Sequence, residues 1–210
     1  MTYNSEREAL AGAGAHLSAR GLSPGTSGNI SLRVGDGWLV SPTNAALGSL
    51  NPESLAFIDA KGTHTSGAAP TKEKFLHAAV YAARPDFGAI VHLHSTHAVA
   101  YACLRDLDAQ DAFPPMTPYT VMRLGRVAVV PYARPGDARL GALVGEAAQR
   151  HHAILLANHG PLVAAASLDA AVAAIEELEE SAKLYFLLHG HKTRFLTDED
   201  VDELRGVFAS

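Results

Sequence analysis

Apolar positions recur along this chain in two rhythms. Residues 5–20 carry Leu10, Ala13 and Leu17 at roughly helical spacing, with Ser5 placed to cap the segment. Residues 71–83 repeat that pattern through Phe75, Ala78, Ala79 and Ala82, until Arg84-Pro85 ends it. Two further helices are predicted, one over 95–103 starting at Ser95 and one from Asp137 to about Arg150. The clearest helix spans 168–189, capped by Ser167, with Val172, Ile175, Leu178, Ala182 and Tyr185 on one face. Glu179 and Lys183 read as an i,i+4 pair on its wet side, and Gly190 as its terminator. Between the helices the period changes to two. Ile30–Val34 alternates, and Gly35-Asp36-Gly37 turns it back into Trp38–Ser41 as a hairpin. Further strands are predicted over 55–59, 87–93, Val127–Pro131, 152–157 and Leu162–Ala165. Residues 106–118, rich in Asp and Pro, form the longest irregular stretch, and Arg134-Pro135-Gly136-Asp137 reads as a turn into the helix that follows. Without a repeat or linker, the interleaving predicts a single α/β domain over residues 1–210.

Composition narrows the functional classes. With 48% apolar residues in 210, the chain can bury a sizeable core as a soluble globular protein. A net charge of −5 with no Lys/Arg cluster argues against nucleic acid or an anionic membrane surface as partner. Cys103 is the only cysteine, which rules out an intrachain disulfide and agrees with a reducing cytoplasm. The first residues contain no apolar signal-like core, and no apolar run approaches the roughly 18 residues of a membrane span. A soluble, cytoplasmic protein is expected.

The chemistry concentrates in a few motifs. Val-His92-Leu-His94-Ser-Thr-His97 follows an apolar run, and alternation puts His92 and His94 on one face. An isolated pair at this spacing is more often one core and one surface histidine. Here a second apolar strand, Ile154-Leu-Leu-Ala-Asn158, also ends in a histidine, His159, before Gly160-Pro161, read as a turn. Three neutral imidazoles from two strand ends, with a carboxylate at Glu73, are the parts of a divalent-metal site with open positions. His16, His64, His151, His152, His189 and His191 lack such company and read as surface or packing residues. Three segments rich in uncharged donors suit an anion: Gly25-Thr26-Ser27-Gly28-Asn29, Ser41-Pro42-Thr43-Asn44, and Pro70-Thr71-Lys72-Glu73 at a helix start. Singly, the first is a turn, and Thr71 is an N-cap with Glu73 a first-turn acid. Together with the histidines they predict metal-assisted chemistry on a phosphorylated sugar derivative.

In their order and spacing, Gly25–Ser31, Ser41–Asn44, Thr71-Lys-Glu73 followed by His77, Val91–His97 and Asn158–Pro161 resemble the class II aldolase/adducin family. The resemblance spans about residues 5–190 and implies a three-layer α/β/α sandwich around a mainly antiparallel sheet. It also implies a homotetramer with sites between subunits. By position, it makes His92, His94 and His159 ligands of Zn2+, one ion per subunit, with Mn2+ or Co2+ also compatible with imidazole ligands. It makes Glu73 the acid/base residue and Thr26, Asn29, Asn44 and Thr71 phosphate binders, with Ser27, Gly28, Thr43 and Lys72 beside them. His97, one helical turn on, is expected to orient the ligands. Tyr119, in the irregular segment, aligns with a tyrosine that family members present to a neighbouring subunit.

Within the family the chain is most similar to decarboxylases of 3-oxo-tetronate 4-phosphates, through Pro70–His77, His94–Val99, Pro131–Gly136 and His152–Gly160. The fuculose-phosphate aldolases usually carry two serines in place of Thr71-Lys72 and a glycine in place of Asn44. The implied substrate is a phosphorylated four-carbon keto acid, converted to dihydroxyacetone phosphate and CO2 through a zinc-stabilised enediolate. Lys72 then supplies a cation for either the phosphate or the departing carboxylate. A sugar-phosphate aldolase or epimerase is the alternative on the same scaffold. The intact histidines argue against a non-catalytic adducin-like module, and the absence of H-E-x-x-H argues against a zinc peptidase.

Overall fold

A computed structural model describes residues 2–134 and 136–207. Pro135 of the expected turn lies outside the described residues. Among the described residues eight strands form one sheet: β1 (Asn29–Val34), β2 (Gly37–Val40), β3 (Ala56–Ile58), β4 (His64–Ser66), β5 (Ala89–His92), β6 (Val127–Val130), β7 (Ala153–Leu156) and β8 (Gly160–Ala165). Their spatial order is β4-β3-β2-β1-β5-β8-β7-β6, and only the β6–β7 pair is parallel. The helices are α1 (Asn4–Ala19), α2 (Lys74–Ala83), α3 (Thr96–Ala102), α4 (Pro118–Leu124), α5 (Ala138–Ala148), α6 (Leu168–Leu188) and α7 (Asp198–Val207).

Strand side chains alternate between two cores. Leu39, Val91, Leu155 and Val163 point to a core closed by Leu10 and Leu17 of α1, Tyr101 of α3, and Ile175 and Leu178 of α6. Trp38, Val40, Ile90, Ile154 and Leu162 point the other way, against Leu76 and Val80 of α2 and Leu140 and Val144 of α5. Helices thus cover both faces of a mainly antiparallel sheet, as the expected sandwich requires. This explains why β2, β5 and β7 read as continuous apolar runs, since neither face meets water. Each large aliphatic side chain buried in this way contributes roughly 1.5–3 kcal/mol.

Several expectations are corrected. Ser5 does not cap α1, because the helix begins one residue earlier, with Tyr3 in the cap position and the Ser5 hydroxyl turned to Glu6. α2 begins at Lys74, so Glu73 sits at the cap position and Thr71 in the preceding turn. Gly160-Pro161 opens strand β8, and the turn is residues 157–159. The irregular stretch ends in α4, where Thr117 accepts a hydrogen bond from the Thr120 N–H and Pro118 occupies the first turn. β4 and α7 were not anticipated: β4 is exposed throughout and α7 buries only Val201, so neither carries a strong apolar rhythm.

Glu179 departs furthest from the expected surface pair with Lys183. It is buried rather than on a wet face, and Lys183 instead lies 3.7 Å from Glu180. The Glu179 carboxylate reaches across to the start of α3, accepting from the His97 N–H at 3.0 Å, the Ala98 N–H at 2.8 Å and the His97 ring at 2.8 Å. It therefore serves as a remote N-cap for the helix that follows His94, satisfying donors that would otherwise be orphaned. Burial pushes its carboxyl up, but the N–H donors of His97 and Ala98 prevail and hold it below its ordinary 4.5. A depressed folded value means that the stabilisation is present above about pH 4.5 and is lost as pH falls through the folded value. Glu179→Gln is expected to lose about 1–3 kcal/mol in urea unfolding at pH 7. The gap to the native protein should narrow at pH 3, and a gap that stays constant between the two pH values would contradict this account.

Candidate active site

Four side chains from three parts of the chain converge at one end of the sheet. His92 is the last residue of β5, His94 lies in the short connection to α3, and His159 lies in the turn between β7 and β8. β8 pairs with both β5 and β7, which brings the two strand ends side by side. The three Nε2 atoms form a triangle with sides of 3.3, 3.4 and 3.1 Å. Glu73, at the cap of α2, approaches from the opposite layer, with Oε1 3.1 Å from His159 Nε2 and Oε2 3.4 Å from His92 Nε2.

The protonation pattern follows from the neighbours. His92 is fully buried, and its Nδ1 lies 2.8 Å from the Pro161 carbonyl, which can only accept. Nδ1 therefore carries the proton, and Nε2 turns a lone pair into the cluster. Burial first, then the neighbouring His92 and His159 rings, pull His94 down to about 4, so its ring is neutral at physiological pH. Burial opposes the charge on Glu73, but the adjacent His159 and His92 imidazoles outweigh it, so the carboxyl is held well below the usual range. Three imidazoles gathered around one carboxylate suit a divalent cation, which takes their Nε2 lone pairs once any shared proton leaves. The spacing fits as well: a tetrahedral ion with bonds of about 2.0–2.1 Å sets its ligand nitrogens roughly 3.3–3.4 Å apart. His92, His94 and His159 can hold the ion, with Glu73 alongside.

Over this cluster opens a cavity of about 560 Å³, lined by Thr26, Ser27, Gly28, Asn29, Thr43, Asn44, Thr71 and Lys72 as well as Glu73, His94 and His159. The three donor-rich loops thus share one wall with the metal-suited cluster. Gly28 makes this approach possible: it has φ +81, and a Cβ there would lie 2.9 Å from the His92 carbonyl. Not every predicted group faces a ligand freely. Ser27 donates both its hydroxyl and its backbone N–H to the Pro24 carbonyl, so its polar groups hold the turn. Asn29 is buried, donating from Nδ2 to Glu73 Oε2 at 2.8 Å, while its Oδ1 meets His77. Lys72 is exposed and is the only Lys or Arg among the lining residues.

Two expected residues stand apart. Tyr119 is on the first turn of α4, 57% exposed, and is absent from the cavity lining. His97 bonds Glu179 and none of the three imidazoles; the group that orients His92 is the Pro161 carbonyl. Conversely Pro42, Tyr132, Gly136 and Asn158 line the cavity without having been assigned a role. Asn158 had a legible signal, an asparagine next to His159 at a strand end, and it takes the left-handed φ of 56° that asparagine tolerates. Tyr132 and Gly136 lie in the Pro131–Gly136 segment that carries the resemblance to decarboxylases, but an exposed tyrosine after a strand reads as surface, with no role of its own.

This arrangement matches known proteins. The model of the class II aldolase and adducin N-terminal domain family covers residues 8–186. A 3-oxo-tetronate 4-phosphate decarboxylase of Pectobacterium atrosepticum is 50% identical over 192 residues, 91% of this chain and 88% of the relative. An L-fuculose phosphate aldolase of Haemophilus influenzae is 32% identical over 196 residues, 91% of this chain and 88% of that protein. The crystal structure of YgbL from Klebsiella pneumoniae superposes with a TM-score of 0.95 at 45% identity, covering 98% of this chain and 100% of that one. The chain belongs to the class II aldolase and adducin family.

Proposed function

We propose that this protein is a divalent-metal-dependent carboxy-lyase that converts a 3-oxo-tetronate 4-phosphate to dihydroxyacetone phosphate and CO2. One observation carries the choice within the family: identity to a decarboxylase reaches 50% over 91% of the chain, against 32–34% to three aldolases over 86–91%. The cavity supports it, because a metal-suited cluster and three donor-rich loops face one space large enough for a four-carbon phosphate ester.

In this reading Thr26, Gly28, Asn44 and Thr71 take the phosphate with neutral donors. Ser27 holds the loop through Pro24, and Thr43 anchors the second loop through its N–H to Ala69. Zn2+ is the proposed ion, held by His92, His94 and His159, and when bound it supplies Lewis acidity at the substrate's 3-oxo oxygen. The C1–C2 bond then breaks, CO2 leaves, and the electron pair spreads over C2, C3 and the oxygen as an enediolate. Glu73 handles the proton: as an anion it takes one up from water and delivers it to C2, completing dihydroxyacetone phosphate. Lys72, the cation of the lining, offsets the charge of the phosphate or the carboxylate. The proposal includes a single family domain over residues 1–210, a homotetramer and a cytoplasmic setting. Among the described residues no helix is long and apolar enough to cross a membrane. In the tetramer Tyr119, exposed on α4, is free to reach a neighbouring site.

The purified, zinc-loaded protein with a 3-oxo-tetronate 4-phosphate should release CO2 and dihydroxyacetone phosphate in equal amounts with no aldehyde. Cleavage of fuculose or ribulose phosphates in place of CO2 release would make it an aldolase instead. Glu73→Gln should retain metal and lose turnover by roughly 10²–10⁴-fold, the usual worth of a general acid or base; full turnover would remove Glu73 from the chemistry. Lys72→Ser should raise the Michaelis constant by about 10–100-fold, matching one charged hydrogen bond of roughly 1.5–3 kcal/mol. Unchanged kinetics would make Lys72 a surface residue.

A further inference from the structure

Behind the cavity wall, a second set of buried polar side chains runs between β1 and α2. Asn29 and Ser31 lie two apart on the strand and face the same way, while Glu73, His77 and Tyr81 follow at four-residue intervals along the helix. The two series interleave. Tyr81 OH lies 2.9 Å from Ser31 Oγ, Ser31 Oγ 2.7 Å from His77 Nδ1, His77 Nε2 2.5 Å from Asn29 Oδ1, and Asn29 Nδ2 2.8 Å from Glu73 Oε2. Asn29, His77 and Tyr81 are each at most 6% exposed, and Ser31 is fully buried, so bulk water does not supply alternative partners.

The donors in this series point one way. Glu73 can only accept, so Asn29 presents its amide N–H to it and its carbonyl to His77. His77 must then donate from Nε2, which leaves Nδ1 to accept from Ser31; with its proton so placed, Ser31 Oγ accepts from Tyr81 at 2.9 Å, nearer to the Tyr81 hydroxyl than the Gly88 carbonyl at 3.4 Å. Burial keeps the Tyr81 phenol protonated and lowers His77 to about 3, so each link is in the form that the sequence of donors needs. The His77 ring is clamped from the far side by Trp38, with ring centroids 6.1 Å apart and planes 8° from parallel. Both polar atoms of Asn29 are engaged, so one N–H at most remains for a ligand.

We infer that His77 is a positioning residue: acting through Asn29, it fixes the Glu73 carboxylate over the three imidazoles, and Asn29 serves this relay before it serves any phosphate. The inference rests on Glu73 being the proton-handling group of the proposed function. Without the Nε2–H donor, the Asn29 amide is free to rotate and present its oxygen to Glu73, which repels the carboxylate from its working position.

The test uses the metal-loaded protein. In a long-range 1H–15N spectrum, His77 should be the neutral Nε2–H tautomer; the Nδ1–H tautomer overturns the relay. This reading needs no substrate, so it stands or falls separately from the decarboxylase assignment. His77→Phe keeps an aromatic ring against Trp38 and removes both nitrogens. It should retain metal and lower kcat by about 10–100-fold, with the Michaelis constant within roughly threefold, as is typical when an outer partner of a metal-site group is removed. His77→Gln, which keeps an N–H donor for Asn29, should recover most of that loss. Unchanged kcat in His77→Phe, or His77→Gln as impaired as His77→Phe in metal-replete protein, overturns the proposal.

Discussion

Three imidazole nitrogens within 3.4 Å of one another, faced by a carboxylate, cannot be held together by each other alone. Ring nitrogens this close repel unless a proton or a cation lies between them, and a carboxylate in a half-buried position resists the loss of water. The surrounding architecture is organised to impose that proximity. β8 lies between β5 and β7 and aligns the two strand ends that carry His92 and His159. The Pro161 carbonyl fixes the His92 tautomer, the Asn29 amide directs Glu73, and Glu179 anchors the helix that follows His94. Each restraint comes from a different element, so the cluster is held by the fold as a whole. A cation resolves the repulsion, which is why the geometry and the charge pattern point to the same ligand.

The division of labour across the cavity follows from the same constraint. The metal-suited cluster lies at the base, where strand ends are rigid. The donors proposed for an anion come from loops beside it, and Gly28 lets the first of these loops pass close to the His92 carbonyl. Within one loop the roles separate further, since Ser27 spends its hydroxyl on the turn and Asn29 spends its amide on Glu73. A segment that reads as a row of equivalent donors therefore contains groups whose polar atoms are already committed to the scaffold. The family relation to aldolases is chemically coherent, because a leaving aldehyde and a leaving CO2 both give up an electron pair to the same carbonyl.

Much of this was legible in the sequence where burial writes a periodic signal. The apolar strands ending in His92 and His159, and the long α6, announced themselves through runs and spacing, as did the glycine-rich approach to Asn29. Elements that bury little did not: β4 and α7 are held by position and by capping, and the reciprocal Thr197–Asp200 bonds at the start of α7 were the only local cue. Glu179 misled because an acid four residues before a lysine on a helix reads as a surface pair, and only the tertiary structure brings α3 to it. The His77 relay was hidden for a similar reason. Its members are ordinary polar residues, and their meaning comes from interleaving a strand and a helix that are more than forty residues apart.

The proposed chemistry requires His92, His94 and His159 to ligate one divalent ion together. It is tested most directly by crystals of the zinc-loaded protein measured on both sides of the zinc absorption edge. A single anomalous peak per subunit is expected, among the three Nε2 atoms and beside Glu73, and it should disappear in His92→Ala. An ion bound elsewhere, or a peak that persists undiminished without His92, would contradict it.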